Sequence, residues 1–498
     1  MGQPDRSSHL SREFVHRLVC GYSTPEVEFA RRGRNRSMTP FVPEHQHIAR
    51  PELRSSGRQS FLRFFFRYPI FLLAFGPPLF RPNSGIDATK GLLDVWAFIQ
   101  VGWIGAISAR AIYRLASADS IHIPKQVRSV FRYAFLLGLL FFFSAEYSPS
   151  RYVSVAYSVL YFLTLICVVE FIVDAYQNPP DWVQCLFHLR LLFVLLFILV
   201  LCMLPFFREI IMTMIPGVGI RLSGGLVAPV CVICPAIAVI SCYAFLFSLE
   251  KKSHSVFLFL IGLGGTMVTQ SRGCELGLLV ALALVGIMWA GTSKRSNYLF
   301  IASTFGSILL ACAALAVIGG GRVWNFFNRG QDLQGIESAS GRTEIWGFVL
   351  RYCMAHPLGM GYIAGFRVFF RGYFALDLQL DPTHIGNAHN EFMDVLAGAG
   401  WPALAVFLFF LGKTIFLGWR YIRRRAVFSN ASYERSRDAL RCALALLVFC
   451  LVNGIDAADF TIPLRTPFYL QTIFIALMLG ISARMIAVSR LQRRGLTG

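Results

Sequence analysis

The sequence predicts an all-α fold, a bundle of about 12 membrane-spanning helices. The mean hydropathy is +0.57, and hydrophobic residues make up 55% of the 498 residues. Only 15% are charged, against about 25% in a typical soluble protein. Apolar runs such as 191–207 and 299–318 are long enough to cross the hydrocarbon core, which needs about 20 residues of helix. These observations exclude a soluble enzyme.

The basic charge does not indicate nucleic acid binding. The net charge is +20 and the pI is near 9.8, but a nucleic-acid footprint gathers its cations in one stripe. Here the Lys and Arg residues fall between hydrophobic spans, where cytoplasmic loops are expected to be basic. The expected contacts are therefore membrane lipids and not nucleic acid.

The chain begins with a polar segment and continues with twelve apolar stretches. Residues 1–60 are rich in Arg, Ser, Pro and Glu without an apolar period, which predicts a disordered basic cytoplasmic tail. Arg63, Arg67 and three prolines interrupt the first apolar stretch, which makes it the weakest. The predicted spans are 62–80, 91–109, 129–146, 152–174, 186–206, 226–249, 255–270, 274–291, 298–318, 395–419, 438–455 and 467–487.

The positions of Lys and Arg orient these spans. With the N-terminus inside, the inside loops carry clusters of cations, whereas long outside loops cross largely regardless of charge. This alternation predicts that both termini are cytoplasmic. The inside cations are Arg110, Arg114, Lys125, Arg128, Arg132, Lys251, Lys252, Lys294, Arg295, Arg420, Arg423, Arg424, Arg425, Arg490, Arg493 and Arg494.

One long hydrophilic insertion, residues 319–394, is predicted to lie outside as a loop subdomain between the ninth and tenth spans. It separates a bundle of nine spans, 61–318, from the last three spans and the cytoplasmic C-terminus, 395–498. A structureless loop of this length is unusual unless it is functional. The pattern in 342–354 predicts a helix that breaks at His356–Pro357.

Two arginines on the outer side are candidates for anion binding. Arg272 lies in the short turn between the seventh and eighth spans, and charged residues at a membrane boundary usually have a functional partner. Arg342 offers a planar fork of donors that suits phosphate oxygens. The alternatives are an Arg272 side chain that extends to lipid headgroups and an ion pair between Arg342 and Glu344.

His389 is the candidate base, because it directly precedes a long apolar span and is followed by Asn390 and Glu391. An imidazole accepts a proton near neutral pH, which a sugar hydroxyl nucleophile requires. Asn390 is a candidate for hydrogen bonding to sugar, and Glu391 lies close enough to orient the imidazole. The alternatives are a structural histidine or a metal ligand together with His356 or His384.

Other polar pairs carry weaker signals. Cys231 and Cys234 have the gap of a metal or redox pair, but they lie in an apolar span, where cysteine usually packs as a small apolar residue. Asp456 and Asp459 form a pair of carboxylates without a third ligand, which favours acceptor recognition or helix capping. The sequence therefore predicts neither a metal site nor a cofactor.

Five short motifs, taken in this order, resemble the O-antigen ligase and polymerase superfamily, including its exopolysaccharide polymerization proteins. The resemblance is sharpest from about residue 260 to 420 and does not cover the tail before residue 60. The motifs are Ser271–Gly273, Gly341–Arg342 with Trp346, His356–Gly361, Ala388–Asn390 and Gly398–Gly400.

This resemblance implies a GT-C-like glycosyltransferase of the bacterial inner membrane, active at the periplasmic face in O-antigen or exopolysaccharide biosynthesis. Its donor would be a glycan on undecaprenyl diphosphate, and its reaction would be inverting and metal-independent. Arg272 and Arg342 would bind the diphosphate, and His389 would activate the acceptor hydroxyl.

The acceptor and the functional class stay open at this point. A growing glycan, the lipid A core, or another hydroxyl acceptor each fits the chemistry, and a protein-directed oligosaccharyltransferase differs only in its acceptor. Other polysaccharide assembly proteins are candidate partners. A polysaccharide transporter or lipid-linked glycan flippase is the alternative from another class, although the two halves of the chain show no matching repeat.

Overall fold

The computed structural model describes residues 61–73, 95–118, 121–206, 208–215, 219–222, 229–290, 342–365, 388–424, 431–455, 463 and 466–493. The predicted tail 1–60, the ninth predicted span 298–318 and most of the insertion lie outside the described residues. Within these ranges the chain is almost entirely helical.

The helices agree closely with the apolar stretches of the sequence. They are α1 (Phe61–Arg67), α2 (Val95–Ala116), α3 (Lys125–Phe143), α4 (Arg151–Gln177), α5 (Trp182–Met203), α6 (Arg208–Ile211), α7 (Val230–Leu246), α8 (Lys252–Thr269), α9 (Arg272–Ala290), α10 (Arg342–Ala355), α11 (Glu391–Arg423), α12 (Ala431–Gly454) and α13 (Thr466–Arg493). Short 3₁₀ turns cover Pro69–Leu73 and Ser144–Tyr147.

A small β-hairpin is an exception to helix among the described residues of an otherwise all-α architecture. Strands β1 (Met212–Ile215) and β2 (Gly219–Leu222) pair antiparallel, with Met212 opposite Leu222 and Ile215 opposite Gly219. Each strand has four residues, too few for a period of two to stand out in an apolar sequence. The pairing satisfies backbone groups that the neighbouring helices leave without partners.

Six of the described helices are long and apolar enough to cross a membrane, which supports a multi-pass membrane protein. They are Lys125–Tyr147, Arg151–Gln177, Trp182–Met203, Arg272–Ala290, Glu391–Arg423 and Pro467–Arg490. The helix α7, with Val230–Leu246, is apolar but shorter. The count of twelve spans remains a prediction.

The first predicted span, 62–80, is not one continuous helix. Helix α1 ends at Arg67, and a 3₁₀ turn begins at Pro69. Proline lacks a backbone N–H and disfavours the helical conformation of the residue before it, so the helix stops there. The described residues of this stretch therefore form a short helix and a turn packed into the bundle core.

Small residues allow close approach of neighbouring helices. In α8, a Cβ at Gly262 would lie 2.6 Å from the backbone nitrogen of Ala238 in α7. In α9, a Cβ at Gly277 would lie 3.0 Å from the side chain of Phe449 in α12. Membrane helices pack mainly by such contacts, because lipid supplies little hydrophobic drive for association.

The bundle has two ends, and different polar contacts join the helices at each of them. At one end, which we call the site end, the starts of α4, α9, α11 and α13 meet the ends of α3 and α12. At the other, the ion-pair end, the end of α2 meets the end of α4, and α5 meets the segment after α7. The charge-based topology groups the helix ends in the same way. Which end faces the periplasm remains a prediction.

Candidate functional site

The three residues singled out in the sequence all lie at the N-terminal ends of helices. Arg272 is the first residue of α9 and Arg342 the first of α10, while His389 precedes the capping residue of α11. The first turn of a helix carries backbone N–H groups without intrahelical partners and the positive end of the helix dipole. Such positions favour anions, including phosphate.

Helix α10 is attached to the segment that carries His389. The indole N–H of Trp346 donates to the carbonyl oxygen of Ala388 over 2.8 Å. Trp346 lies about one helical turn after Arg342, and Ala388 is bonded to His389. The Arg342 end of α10 therefore lies beside the start of α11.

Helix α9 reaches the same region through α12. The thiol of Cys274, two residues after Arg272, donates to Oδ1 of Asn453 over 3.2 Å. The amide of Asn390 donates to the carbonyl oxygen of Ile455 over 3.1 Å. Since Asn453 and Ile455 belong to the same helix end, these two bonds connect the start of α9 to the residue after His389.

The sequence around His389 forces the chain to turn before α11 begins. Asn390 caps the helix, because its side-chain oxygen accepts from the backbone nitrogens of Phe392 and Met393 at 2.9 and 3.1 Å. The backbone nitrogen of Ala388 donates to Asp394 over 2.7 Å. Between these bonds His389 adopts a φ of 49°, a conformation that costs a non-glycine residue about 1–3 kcal/mol.

Backbone strain is concentrated at the site end. Of the four described non-glycine residues with positive φ, three lie here: Gln270, Ile363 and His389. Gln270 lies directly before the turn into α9, and its side-chain oxygen is buried without a hydrogen-bond partner in the described part of the chain. Strained residues cluster at functional sites, where the surrounding structure holds them.

Two glycine-rich segments lock together beside this helix start. We call them the glycine interlock, residues 356–361 with residues 397–401. Met360 donates to Ala397 over 2.9 Å, Gly361 to Gly398 over 2.7 Å and Trp401 to Pro357 over 2.9 Å, all through backbone atoms. Gly400 has a φ of 75° inside α11, and a Cβ there would lie 2.5 Å from the carbonyl carbon of Leu358.

Tyr362 fixes the interlock to the membrane helices. Its ring stacks on Phe141 of α3 with centroids 3.8 Å apart. Its backbone nitrogen donates to the hydroxyl of Ser144 over 2.8 Å, and the hydroxyl of Ser154 donates to its carbonyl oxygen over 2.8 Å. Burial raises the pKa of Tyr362 well above its usual value, so the phenol stays neutral.

Part of the region assembled by these contacts matches a known protein family. Residues 257–408 match the family model of the O-antigen ligases. The match confirms the resemblance to the O-antigen ligase and polymerase superfamily. It includes all three candidate residues and both halves of the glycine interlock. No curated protein matches the chain.

Within the matched region, the Glu391 carboxylate does not hydrogen-bond to the imidazole of His389, although the sequence suggested that it could orient this ring. Its carboxylate is fully buried, and Oε1 accepts from the amide of Gln471 in α13 over 3.0 Å. Oε2 has no hydrogen-bond partner among the described residues and faces Gly454, where any Cβ would collide with it. The side chain of Glu391 therefore joins α11 to α12 and α13 and makes no hydrogen bond to His389.

The remaining sequence candidates differ in how much of them is described. Arg272, Arg342 and His389 are half-buried, and His356 is exposed and stacked on Tyr352. His384, Asp456 and Asp459 lie outside the described residues.

Cys231 and Cys234 are free thiols in α7, where Cys234 packs closely against Gly265 of α8. In the described part of the chain, no group of three His, Cys, Asp or Glu residues could hold a metal ion.

Sequence reasoning missed Gln270, Asn453 and Gln471. Asn453 and Gln471 form hydrogen bonds around the helix starts, and Gln270 directly precedes the turn into α9. A polar residue near the end of an apolar span was the available signal, since polar groups inside a membrane protein usually have partners or functions. The sequence gives no indication of which polar residues of different spans meet.

Proposed function

We propose that this protein is a glycosyltransferase that transfers or polymerises a glycan carried on undecaprenyl diphosphate. It acts at the periplasmic face of the bacterial inner membrane, in the biosynthesis of O-antigen, lipopolysaccharide or exopolysaccharide. The insertion 319–394 and the helix starts around it form the catalytic side, and both chain termini lie in the cytoplasm.

The proposed reaction needs one base and two fixed cations. The acceptor oxygen attacks the anomeric carbon of the donor sugar, and the bond from that carbon to the diphosphate oxygen breaks. The hydroxyl proton passes to His389, and the diphosphate leaves with the bonding electron pair. Attack from the side opposite the leaving group inverts the anomeric configuration.

Arg272 and Arg342 bind the diphosphate in this proposal. Their guanidiniums remain charged at any physiological pH and can each hold two oxygens. The helix dipoles at the starts of α9 and α10 add to the same positive field. Neutralising the charge that develops on the leaving group lowers the barrier, so the residues of the chain suffice without a metal or cofactor.

The observation that carries the proposal is the connection of three helix starts by hydrogen bonds. The Trp346–Ala388, Cys274–Asn453 and Asn390–Ile455 bonds connect the helix starts at which Arg272, Arg342 and His389 lie. A strained backbone at His389 adds a feature typical of functional residues. The O-antigen ligase match over the same segment supports the reaction class.

The deciding experiment uses purified full-length protein in liposomes without an ion gradient. Supplied with a polyprenyl-diphosphate-linked glycan and an acceptor, the protein is expected to form new glycosidic bonds, detected as longer or newly attached glycans. Movement of the lipid-linked glycan across the liposome without any new bond would instead establish the flippase alternative. Acceptors offered separately, as free glycan, lipid A core or peptide, distinguish polymerase, ligase and protein-directed transferase.

Topology provides an independent test. Single-cysteine variants at positions 272, 342 and 389, in a background without other cysteines, are expected to react with a membrane-impermeant thiol reagent added from the periplasmic side. Labelling of any of these positions solely from the cytoplasmic side would refute a shared periplasmic site.

A further inference from the structure

A narrow cleft runs between four helices of the bundle below the candidate site. Its volume is about 60 Å³, and it is partly open. Helix α13 lines it from Phe468 to Leu479, which is about 16 Å of helix at 1.5 Å per residue. The other walls come from α3, α4 and α11, including Phe131, Val168 and Phe410. The cleft is therefore a slot parallel to the helices.

The polar atoms that line this slot are already engaged within the bundle. The hydroxyl of Tyr161 donates to Ala134 over 3.0 Å, that of Thr164 to Leu160 over 2.8 Å, and that of Thr472 to Phe468 over 2.8 Å. A sugar or a row of waters would need free hydrogen-bonding partners. The remaining lining is aromatic and aliphatic, so the slot suits a hydrocarbon.

The site end of the slot is joined to the candidate site by two contacts. Phe141 lines the slot and stacks on Tyr362 of the segment that carries the glycine interlock to the bundle. Gln471 lines the slot and donates to Glu391, two residues after His389. A ligand in the slot would therefore end beside Tyr362 and the start of α11, which follows His389.

We propose that this cleft binds the isoprenoid chain of the lipid-linked donor, with the chain parallel to α3, α4, α11 and α13 and its diphosphate end at Arg272 and Arg342. The assignment rests on the proposed function. The slot determines the orientation of the isoprenoid chain, because it runs along the helices and Gln471 and Phe141 line its site end.

Variants that fill the slot test this assignment. Thr472→Phe in α13 and Val168→Phe in α4 each place a ring in the slot, from two neighbouring walls. Leu408→Phe is the matched control, because Leu408 lies on α11 beside the slot residue Phe407 but is 49% exposed on the outer surface. Thermal unfolding of each purified variant shows whether the bundle remains folded.

The assay compares donors that carry the same glycan on a long polyprenyl chain or on a short prenyl chain. Both filled variants are expected to raise KM for the long-chain donor about tenfold, which corresponds to about two methylene groups that are no longer buried. The KM for the short-chain donor and the behaviour of Leu408→Phe are expected to match the wild type. Equal KM changes for both donors, or none, would overturn the assignment.

A second measurement uses the wild-type protein and a polyprenyl phosphate with a photoreactive group on its chain. Crosslinks are expected at slot residues of α4 and α13, with reduced yield in Thr472→Phe. Crosslinks confined to other surfaces, or equal labelling of the slot by a photoreactive phospholipid, would overturn the assignment. Specific crosslinking in the slot of a protein that transfers no glycan would uphold it and refute the proposed function.

Discussion

The two ends of the bundle are held together by different interactions. At the ion-pair end, Arg114 contacts both Glu170 and Asp174, and Arg190 forms a two-point ion pair with Glu250. At the site end, backbone hydrogen bonds, helix caps and glycines with no room for a methyl group hold the segments together. Ion pairs therefore join the helices at the ion-pair end, and closely approaching backbone segments join them at the site end.

The carboxylates described at the two ends also have different partners. The buried carboxylate at the site end, Glu391, is paired with an amide and not with an arginine. We therefore expect the stability of the ion-pair end to depend on pH. We expect the stability of the site end to fall when a single methyl group is added to a glycine.

Replacing His389 with Ala should abolish most glycan transfer, by a factor on the order of a hundred to ten thousand, since a positioned base contributes about that much. The measurement is the initial rate of transfer by purified protein, normalised to the folded amount. His122→Ala is the control, because His122 is exposed in the loop before α3 and away from the site. A His389→Ala protein with the wild-type rate would remove the proposed base.

Replacing Gly400 with Ala should destabilise the site end by at least about 2 kcal/mol, because the residue has a φ of 75° and a Cβ would overlap the opposite segment. Thermal unfolding in detergent measures the effect. Gly412→Ala lies in the same helix with nothing within 4 Å of its Cβ and should be neutral or slightly stabilising. Equal behaviour of the two variants would contradict the glycine interlock.

Replacing Arg342 or Arg272 with Lys should lower kcat/KM for the lipid-linked donor about tenfold, the equivalent of one lost charge-assisted hydrogen bond. The charge is kept, but the forked geometry is lost. Arg351→Lys is the control on α10, because Arg351 is exposed. Full activity of either Lys variant would contradict the proposal that the replaced arginine binds the diphosphate through two hydrogen bonds.

The ion-pair end should lose stability in acid. Burial alone would raise the pKa of Glu250, but hydrogen bonds from Arg190 and Ser255 outweigh burial and lower it to about 2. Because the unfolded value is about 4.3, this contribution is present above pH 4.3 and is lost as the pH falls towards 2. We expect about 1 kcal/mol, given partial solvation.

The control for this pH effect is Glu250→Gln, which keeps the shape of the side chain but cannot titrate. The difference in unfolding free energy between wild type and variant, measured from pH 6 down to pH 3, should shrink as the pH falls. A difference that stays constant over this range would mean that the Arg190–Glu250 pair contributes nothing that depends on charge.

Much of the helical layout was predictable, because each apolar span is a local property of the chain. The stretch 152–174 became α4, and the helix predicted from Arg342 became α10, with its break at His356. The prediction that 62–80 forms one continuous helix was wrong, because Pro69 ends helix α1 although the stretch is hydrophobic. The hairpin at Met212 was missed because its strands are too short for a period.

The glycines illustrate the limit of the sequence for the site. Glycine density in 359–365 indicated a turn or close approach, but not that the partner would be the 398–400 segment. The orientation of Glu391 shows the same limit. Proximity in sequence to His389 suggested a contact, whereas the helix geometry directs the carboxylate to Gln471, 80 positions later.

Composition, span length and charge alternation were sufficient to indicate a helical membrane protein, because lipid requires each spanning segment to satisfy its own backbone hydrogen bonds and to be apolar along its length. Which residues of distant segments meet depended on packing, since contacts such as Trp346 with Ala388 and Cys274 with Asn453 form only when separate helices are brought side by side. Local chemistry determines a helix, and the shapes of neighbouring helices determine its partners.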